Sequence, residues 1–451
     1  MKIIIVGAGK VGLTLAETLR HERHDIAVID PDRAVIEYAE TEYDVLGIVG
    51  SGACCEDLRS AGAERADLLI ASSSQDEINI LSCTLAAKLG TRRCIARIRD
   101  PRLTVQFPRL TTERGISAMV NPEYDAASEI SRIIRMPSAI KVDSFAKGRM
   151  DLAEVKIEAD SPMDGLSLFM LPKTVKSKIL ICAVSRGTDV FIPSGDFVLH
   201  AGDRIHVTAP HAELASFFRT LGTAAPRIRS VLIIGGGRIA FYLTKQLLES
   251  GVAVKIVEID RARCEELSTA FPKAKIVCGD GTDQELLIGE GLCAADACVA
   301  LTGIDEENII LSMDARSQSR AKVIAKVNKL SLKRMSSSVG LDSLVSPRLL
   351  TANTIIQYVR AVQNSGGSNI STLYRLVEDR VEAIEFLARS SSRLIDIPLR
   401  ELALKKDLLI AGIIRGSRVI IPGGDDSVHA GDSVIVVTAN RFFRDLDDIL
   451  H

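Results

Sequence analysis

Short, unbroken runs of apolar residues recur along the first part of the chain: Ile3–Val6, Ile26–Ile29, Val45–Val49, Leu68–Ala71, Ile95–Ile98 and Ala118–Val120. Each has the length of a strand, and amphipathic stretches of helical length separate them. A strand in the middle of a parallel sheet is covered on both faces, so it needs apolar side chains at successive positions rather than at alternate ones. The pattern therefore predicts a doubly wound α/β lobe with a parallel sheet. The helical stretches carry recognisable ends. "EINILSCTLAAKL" follows Asp76 and stops at Gly90, as a helix with an acidic start and a glycine stop should.

The same unit is written twice. "VGAGKVG" matches "IGGGRIA", "AVIDPDR" (27–33) matches "KIVEIDR" (255–261), and "VGSGACCEDL" (49–58) matches "CGDGTDQELL" (278–287). "CIARIRD" (94–100) matches "VIAKVNK" (323–329), and "VNPEYDAASEI" matches "VSPRLLTANTI". A further stretch, 179–207, repeats as 408–436, with "RG", "PSG" or "PGG", and "AGD" at matching places. Those are turn signals of an antiparallel β-rich module. Each such module is expected to close with a helix, Ala212–Leu221 and Arg441–Leu450. The chain reads as two Rossmann-like doubly wound domains, each followed by a small α+β domain. The expected spans are 1–137, 138–224, 228–365 and 366–451, with linkers in "GTAAPRIRS" (222–230) and "NSGGSN" (364–369).

Bulk properties narrow the function. A formal net charge of −2 lacks the basic footprint of a nucleic-acid binder, and no Lys/Arg cluster suits an anionic membrane surface. The nine cysteines form no CxxC pair, which argues against zinc and for free, mostly buried thiols in a reducing compartment. The apolar run after Met1-Lys2 is too short for a secretory signal, and no run approaches the roughly 18 residues of a membrane span. The expectation is a cytoplasmic protein whose membrane role, if it has one, passes through a partner.

Gly7, Gly9 and Gly12 make GxGxxG between a strand and a helix, the pattern of a tight turn, close approach to phosphate, and close helix packing. Asp30 ends the next strand, where a carboxylate suits the two ribose hydroxyls of an adenine nucleotide and repels a 2′-phosphate. The second copy offers Gly235, Gly237 and Glu258, with Ala240 in the third glycine place. Lys10 and Arg238 occupy one slot at the two helix starts, where the helix dipole disfavours a cation unless an anion sits there. Ser51 and Asp280 follow the third strands, where an adenine edge would lie. Ser72 and Ser73 follow the fourth strand, opposite Thr302. Arg97 and Lys326 stand in the fifth strands, where a charge needs a phosphate or a carboxylate such as Asp76. Asp76 with Asn79, and Asp305 with Asn308, read as helix caps as readily as ligand contacts.

Together these motifs, doubled in order over essentially the whole chain, resemble the KTN/RCK family of potassium-transport regulators. The resemblance implies that the small domains are RCK C-terminal domains and that the protein is not an enzyme. It implies a homo-oligomeric, tetrameric ring beneath a membrane potassium-translocating subunit of the Trk type, biased by NAD(H), ATP or ADP. Gly7, Gly9, Gly12 and Asp30 would hold one nucleotide, with Lys10 and Arg97 near phosphate; Gly235, Gly237, Arg238 and Glu258 would hold a second. Glu123 of "NPE" would help bind a divalent or monovalent cation; the second copy has Arg348 there instead. The amphipathic segments Glu123–Arg135 and Arg348–Val362 would link lobes and pack on a neighbour, or simply cover their own sheet.

Two other classes compete. An NAD-dependent oxidoreductase needs an acid or base beside the nicotinamide. The seven histidines fall outside the glycine crevices, and His200 and His429, before the "AGD" turns, read as structural. A redox-sensing transcription factor would need a basic DNA-reading helix, which the sequence lacks.

Overall fold

The computed structural model describes every residue except 104–114, 146–148, 176, 221–225, 330–331, 333–340, 342, 365–369, 377–379, 440–442 and 444. Residues 222–225 and 365–369 of the two expected linkers, and residues 441, 442 and 444 at the start of the last expected helix, lie outside the described residues. The described part of that helix is a short 3-10 turn, Leu446–Ile449, capped by Asp445.

The first lobe has β1 (Lys2–Val6), α1 (Lys10–His21), β2 (Asp25–Asp30), α2 (Arg33–Tyr43), β3 (Leu46–Val49), α3 (Cys55–Ser60), β4 (Leu68–Ala71), α4 (Asp76–Leu89), β5 (Cys94–Arg97), β6 (Ala118–Val120) and α5 (Pro122–Arg135). The strands form one six-stranded sheet in the order β3-β2-β1-β4-β5-β6, parallel throughout. Ile3, Ile4, Ile5 and Leu68 through Ala71 are at most 1% exposed, which is why the sequence shows unbroken apolar runs there. The strand order reverses between β1 and β4, and in such sheets a crevice opens at the carboxyl ends of the strands. In register, Val6 lies beside Ile29 and Ala71, and Asp30 beside Val49. Gly7, Asp30, Gly50, Ser72 and Arg97 therefore all reach the same edge.

A small antiparallel lobe follows, with β7 (Lys141–Phe145), β8 (Met150–Lys156), β9 (Leu180–Arg186), β10 (Asp189–Phe191), β11 (Arg204–Ala209) and α6 (His211–Thr220), the strands ordered β10-β9-β11-β8-β7. The second large lobe repeats the first: β12 (Ser230–Ile234), α7 (Arg238–Glu249), β13 (Ala253–Glu258), α8 (Arg261–Ala270), β14 (Lys275–Cys278), α9 (Gln284–Gly289), β15 (Ala297–Ala300), α10 (Asp305–Gln318), β16 (Lys322–Lys326), β17 (Leu344–Val345) and α11 (Pro347–Asn364). Its sheet runs β14-β13-β12-β15-β16-β17. The second small lobe has β18 (Ile370–Leu376), β19 (Val381–Leu387), β20 (Leu408–Arg415), β21 (Arg418–Ile420) and β22 (Ser433–Thr438), ordered β18-β19-β22-β20-β21. The "AGD" aspartates anchor turns: Asp203 accepts two bonds from the Arg186 guanidinium at 2.8 Å, and Asp432 is paired likewise with Arg415.

The chain folds into two compact units that cut across its order. One comprises Met1–Ile130 with Arg229–Ile356, and the other Ser131–Ile228 with Gln357–His451. Like therefore packs with like. In the second unit the two small lobes share an apolar core that includes Leu152, Cys182, Val381 and Val437. Their central strands are buried on both faces for that reason: Val434 through Val437 are 0% exposed. Ile130, Ile133 and Ile134 of α5, and Ile355, Ile356 and Val359 of α11, are buried within this chain itself.

Candidate nucleotide-binding site

The site begins with a turn that only glycine permits. Gly7 has φ +93°, and a Cβ there would stand 2.7 Å from the backbone of Ser73. Gly12, on the first turn of α1, lies so close to the turn that a Cβ would fall 1.9 Å from the Gly7 carbonyl oxygen. Gly9 is different: a Cβ would meet nothing within 4 Å. Its openness leaves room above the free N–H groups of α1, where an anion is favoured.

Asp30 is tied to this turn. One carboxylate oxygen accepts the Ala8 N–H at 2.7 Å and the other the Asp32 N–H at 3.0 Å. A carboxylate has about four lone-pair sites, so two remain for the hydroxyls of a ribose. Ser72 Oγ donates toward the Val6 and Gly7 carbonyls at 3.2 Å, bracing the turn from β4. Ser73 N–H donates to Asn79 Oδ1 at 2.8 Å, and Asn79 Nδ2 donates to the Arg97 carbonyl at 2.8 Å. Asn79 thus ties the ends of β4 and β5 together. Asp76 does the same for the segment after β5, accepting from the Arg99 and Asp100 N–H groups. Neither caps its own helix. Asp305 and Asn308 repeat both arrangements in the second lobe.

Arg97 finds a different partner from the one expected. Asp76 pairs with Arg99, while the Arg97 guanidinium faces Glu123 at 3.6 Å. Both side chains are mostly buried, and among the described residues Arg97 Nε and Glu123 Oε2 have no hydrogen-bond partner. Burial pulls the Arg97 pKa down, with Glu123 opposing that shift. A buried, incompletely satisfied guanidinium at the rim of a crevice favours an anion. Glu123, expected to help bind a cation, pairs with this guanidinium, and among the described residues no group of three His, Cys, Asp or Glu is placed to hold a metal.

These residues line a cleft of about 690 Å³, which also takes in Gly9, Lys10, Asp30, Ser51, Ser72 and Ser73. The volume is within the range of small-molecule sites. Of the first-lobe residues singled out from the sequence, Gly12 lies outside the lining, beneath the turn, and so do Asp76 and Asn79, which tie strand ends together behind it. The opposite wall comes from the second large lobe: Ile239, Lys326, Asn328, Pro347 and Arg348. Lys326 was expected to serve its own lobe. Its ammonium donates to the Thr302 carbonyl and borders the first-lobe cleft, where burial lowers its pKa and nearby Lys10 lowers it further, against the pull of Asp305. Arg348 donates to Thr14 Oγ1 on α1. The sequence signalled Arg348 only as a departure from the acid of the first copy. In the opposite sense Tyr242 of α7 donates to the Arg99 carbonyl at 3.0 Å and accepts from Asn121 Nδ2 at 2.9 Å.

The second-lobe residues assemble on their own edge. Gly235 has φ +97°, and Glu258 accepts the Gly236 and Asp260 N–H groups as Asp30 does in the first lobe. Arg238 begins α7 and is exposed. Asp280 accepts from the N–H and hydroxyl of Thr282, which hold its carboxyl below the usual range. Thr302 N–H donates to Asn308. Arg263, which sequence reasoning passed over, donates to the Gly236 carbonyl at 2.8 Å and stacks on Phe241.

Comparison with known proteins fits this geometry. The TrkA-N domain model matches residues 3–122 and 231–347, and the TrkA-C domain model matches 152–222 and 383–450. The chain belongs to the TrkA family. The "Trk system potassium uptake protein TrkA homolog" of Archaeoglobus fulgidus is 33% identical over 97% of both chains. The "Trk system potassium uptake protein TrkA" of Halomonas elongata is 32% identical over 99% of this chain and 98% of its own. Among solved structures, the GsuK channel superposes with a TM-score of 0.65 at 19% identity, over 97% of this chain and 76% of that one. The GsuK channel bound to NAD gives 0.62 at 19% over the same shares. These structural likenesses show the shared RCK fold. Among the described residues of this TrkA-family chain, no helix is long and apolar enough to cross a membrane.

Proposed function

We propose that this protein is the regulatory subunit of a Trk-type potassium uptake system. It binds NAD(H), ATP or ADP in the cleft of its first large lobe, and a second nucleotide at the matching edge of the other. Binding shifts the arrangement of a homo-oligomeric ring and so gates a membrane potassium-translocating subunit from the cytoplasmic side. The observation that carries this is the cleft. A pre-bent glycine turn, a carboxylate with two lone pairs to spare and the cations Lys10 and Arg97 face one space of about 690 Å³. The full-length relatives named for Trk potassium uptake and the NAD-bound RCK relative support the same reading.

The gating step has a physical requirement: a nucleotide shifts the ring only by binding one arrangement more tightly than another. A wall supplied by the second lobe meets that requirement, because Lys326 and Arg348 reach the ligand only when the two large lobes are in contact. The terminal phosphates of ATP would meet more of this positive wall than those of ADP.

Calorimetric titration of the full chain, Asp30→Ala and Glu258→Ala with NADH, NAD, ATP and ADP tests binding. Each variant should lose one site and keep the other. Potassium uptake with and without this chain tests gating. Binding that survives both substitutions, or uptake indifferent to the chain, would overturn the proposal. Hydride transfer to or from an added substrate at enzymatic rates would favour an oxidoreductase instead.

A further inference from the structure

The second large lobe carries a pair of cysteines that the nucleotide chemistry does not use. Cys264 lies on α8 and Cys278 ends β14, the edge strand of the sheet. Cys264 donates to the Glu258 carbonyl at 3.3 Å, and Cys278 is the ladder partner of Glu258 on the neighbouring strand, so the two cysteines meet at one corner of the sheet edge. Both residues border one open surface depression of about 380 Å³. Cys278 is exposed and Cys264 is buried.

The first lobe is an internal control. Cys278 stands beside Glu258 in the parallel ladder as Val49 stands beside Asp30, and Ile36 occupies the place of Cys264 on α2. The fold at this spot thus needs no thiol at either place: a buried isoleucine and an exposed valine serve in the first lobe. Two other cysteines, Cys83 and Cys94, share one buried apolar cluster and are both 0% exposed, so no oxidant reaches them. The 264–278 pair differs in having one partner open to solvent.

We propose that Cys264 and Cys278 form a thiol–disulfide switch, closed by a low-molecular-weight disulfide. Cys278, as thiolate, attacks one sulfur of the small disulfide and expels the other as a thiolate, leaving a mixed disulfide. Cys264 then gives up its proton, and its thiolate attacks the Cys278 sulfur and expels the second small thiol. Two cysteine thiols and one disulfide become one internal disulfide and two small thiols, so electrons and protons balance. Burial, the Cys278 contact and nearby Glu258 and Asp260 push the Cys264 thiol up to about 11, which makes the second step the slow one and speeds it as pH rises. The link would fasten the edge strand to α8 directly beside Glu258.

The test is incubation of the full chain with oxidised glutathione, followed by thiol counting and peptide mapping without reduction. The native chain should yield one cross-linked peptide pair containing residues 264 and 278, reversed by dithiothreitol, while exposed Cys293, which has no such neighbour among the described residues, carries at most a glutathione adduct. Cys264→Ile, which copies the first lobe, should stop at a glutathione adduct on Cys278. Cys278→Val should leave Cys264 unmodified. Absence of the cross-link, or an adduct on Cys278 that persists equally in the native chain and in Cys264→Ile, would overturn the proposal. The readout needs no nucleotide, so its outcome is separate from that of the titrations above.

Discussion

Gly12 and Gly9 sit three residues apart at the same helix start, yet their replacement by alanine should have opposite consequences. A Cβ at Gly12 would lie 1.9 Å from the Gly7 oxygen, 3.0 Å from its carbonyl carbon and 3.2 Å from Ser72 Oγ. Carbon and carbonyl oxygen normally keep roughly 3.3 Å apart, so α1 and the turn must separate by more than an ångström. The two nearest obstacles are backbone atoms, which no rotamer change can move aside. Overpacking of this kind costs about 1–3 kcal/mol, occasionally more. For a unit of this size that is a fall in melting temperature of roughly 2–12 °C. The second lobe shows that alanine is compatible with the architecture when helix and turn are set for it: Ala240 occupies the matching place and is fully buried. Gly9 has φ −70° and ψ −173°, which any residue adopts, and its Cβ would meet nothing within 4 Å. Alanine there loses on the order of 1 kcal/mol as a helix cap and gains about 0.4–1 kcal/mol by restricting the unfolded chain, so stability should stay close to wild type. The added methyl would stand where the phosphates must approach, so nucleotide affinity should fall by about tenfold or more, roughly 1.4 kcal/mol. Thermal unfolding without ligand and calorimetry with it separate the two effects. A Gly12→Ala protein with unchanged melting and affinity, or a Gly9→Ala protein as destabilised as Gly12→Ala, would refute the reasoning.

Asp30→Asn keeps the shape of the side chain but removes the charge and turns one oxygen into a donor facing the Ala8 or Asp32 N–H. Affinity in the first cleft should drop about 10- to 100-fold by calorimetry, the worth of a hydrogen bond to a charged group. Tyr242→Phe leaves the ring in place and deletes the bonds to Asn121 and the Arg99 carbonyl. It should cost about 1 kcal/mol in denaturant unfolding and weaken any dependence of one nucleotide site on occupancy of the other. His206 is buried, and burial holds its pKa below 6.5 despite the opposing pull of Glu154. The unfolded chain takes up the proton first as pH falls, so this contribution to stability is present above pH 6.5 and is lost below it. The slope is at most about 1.4 kcal/mol per pH unit. Denaturant unfolding between pH 7.5 and 5 should show that acid limb, and His206→Gln should flatten it.

The strands of the first lobe, the glycine turn and the position of Asp30 were legible in the sequence because the forces that set them are local. An apolar run long enough to be covered on both faces makes a buried strand wherever it falls. A φ of +93° with a neighbouring backbone 2.7 Å from where a Cβ would stand admits glycine alone at position 7, and a carboxylate at a strand end meets the N–H groups beside it. Internal repetition then carried the reading to Gly235 and Glu258. Local pattern did not assign partners among equals. Asp76 and Glu123 are both carboxylates within reach of the fifth strand, and only the packed structure assigns the first to Arg99 and the second to Arg97.

What the sequence by itself determined is each lobe and the chemistry along its edge. What only tertiary structure decided is which lobes share a unit. Two large lobes far apart in the chain pack together, so Lys326 and Arg348 line a cleft whose glycine turn belongs to the other lobe. Two small lobes join through a shared apolar core, which buries the second face of their strands. Sequence periodicity reports whether a side chain is covered; it carries no record of which distant surface does the covering, because burial lowers the free energy of an apolar side chain whatever apolar partner supplies it.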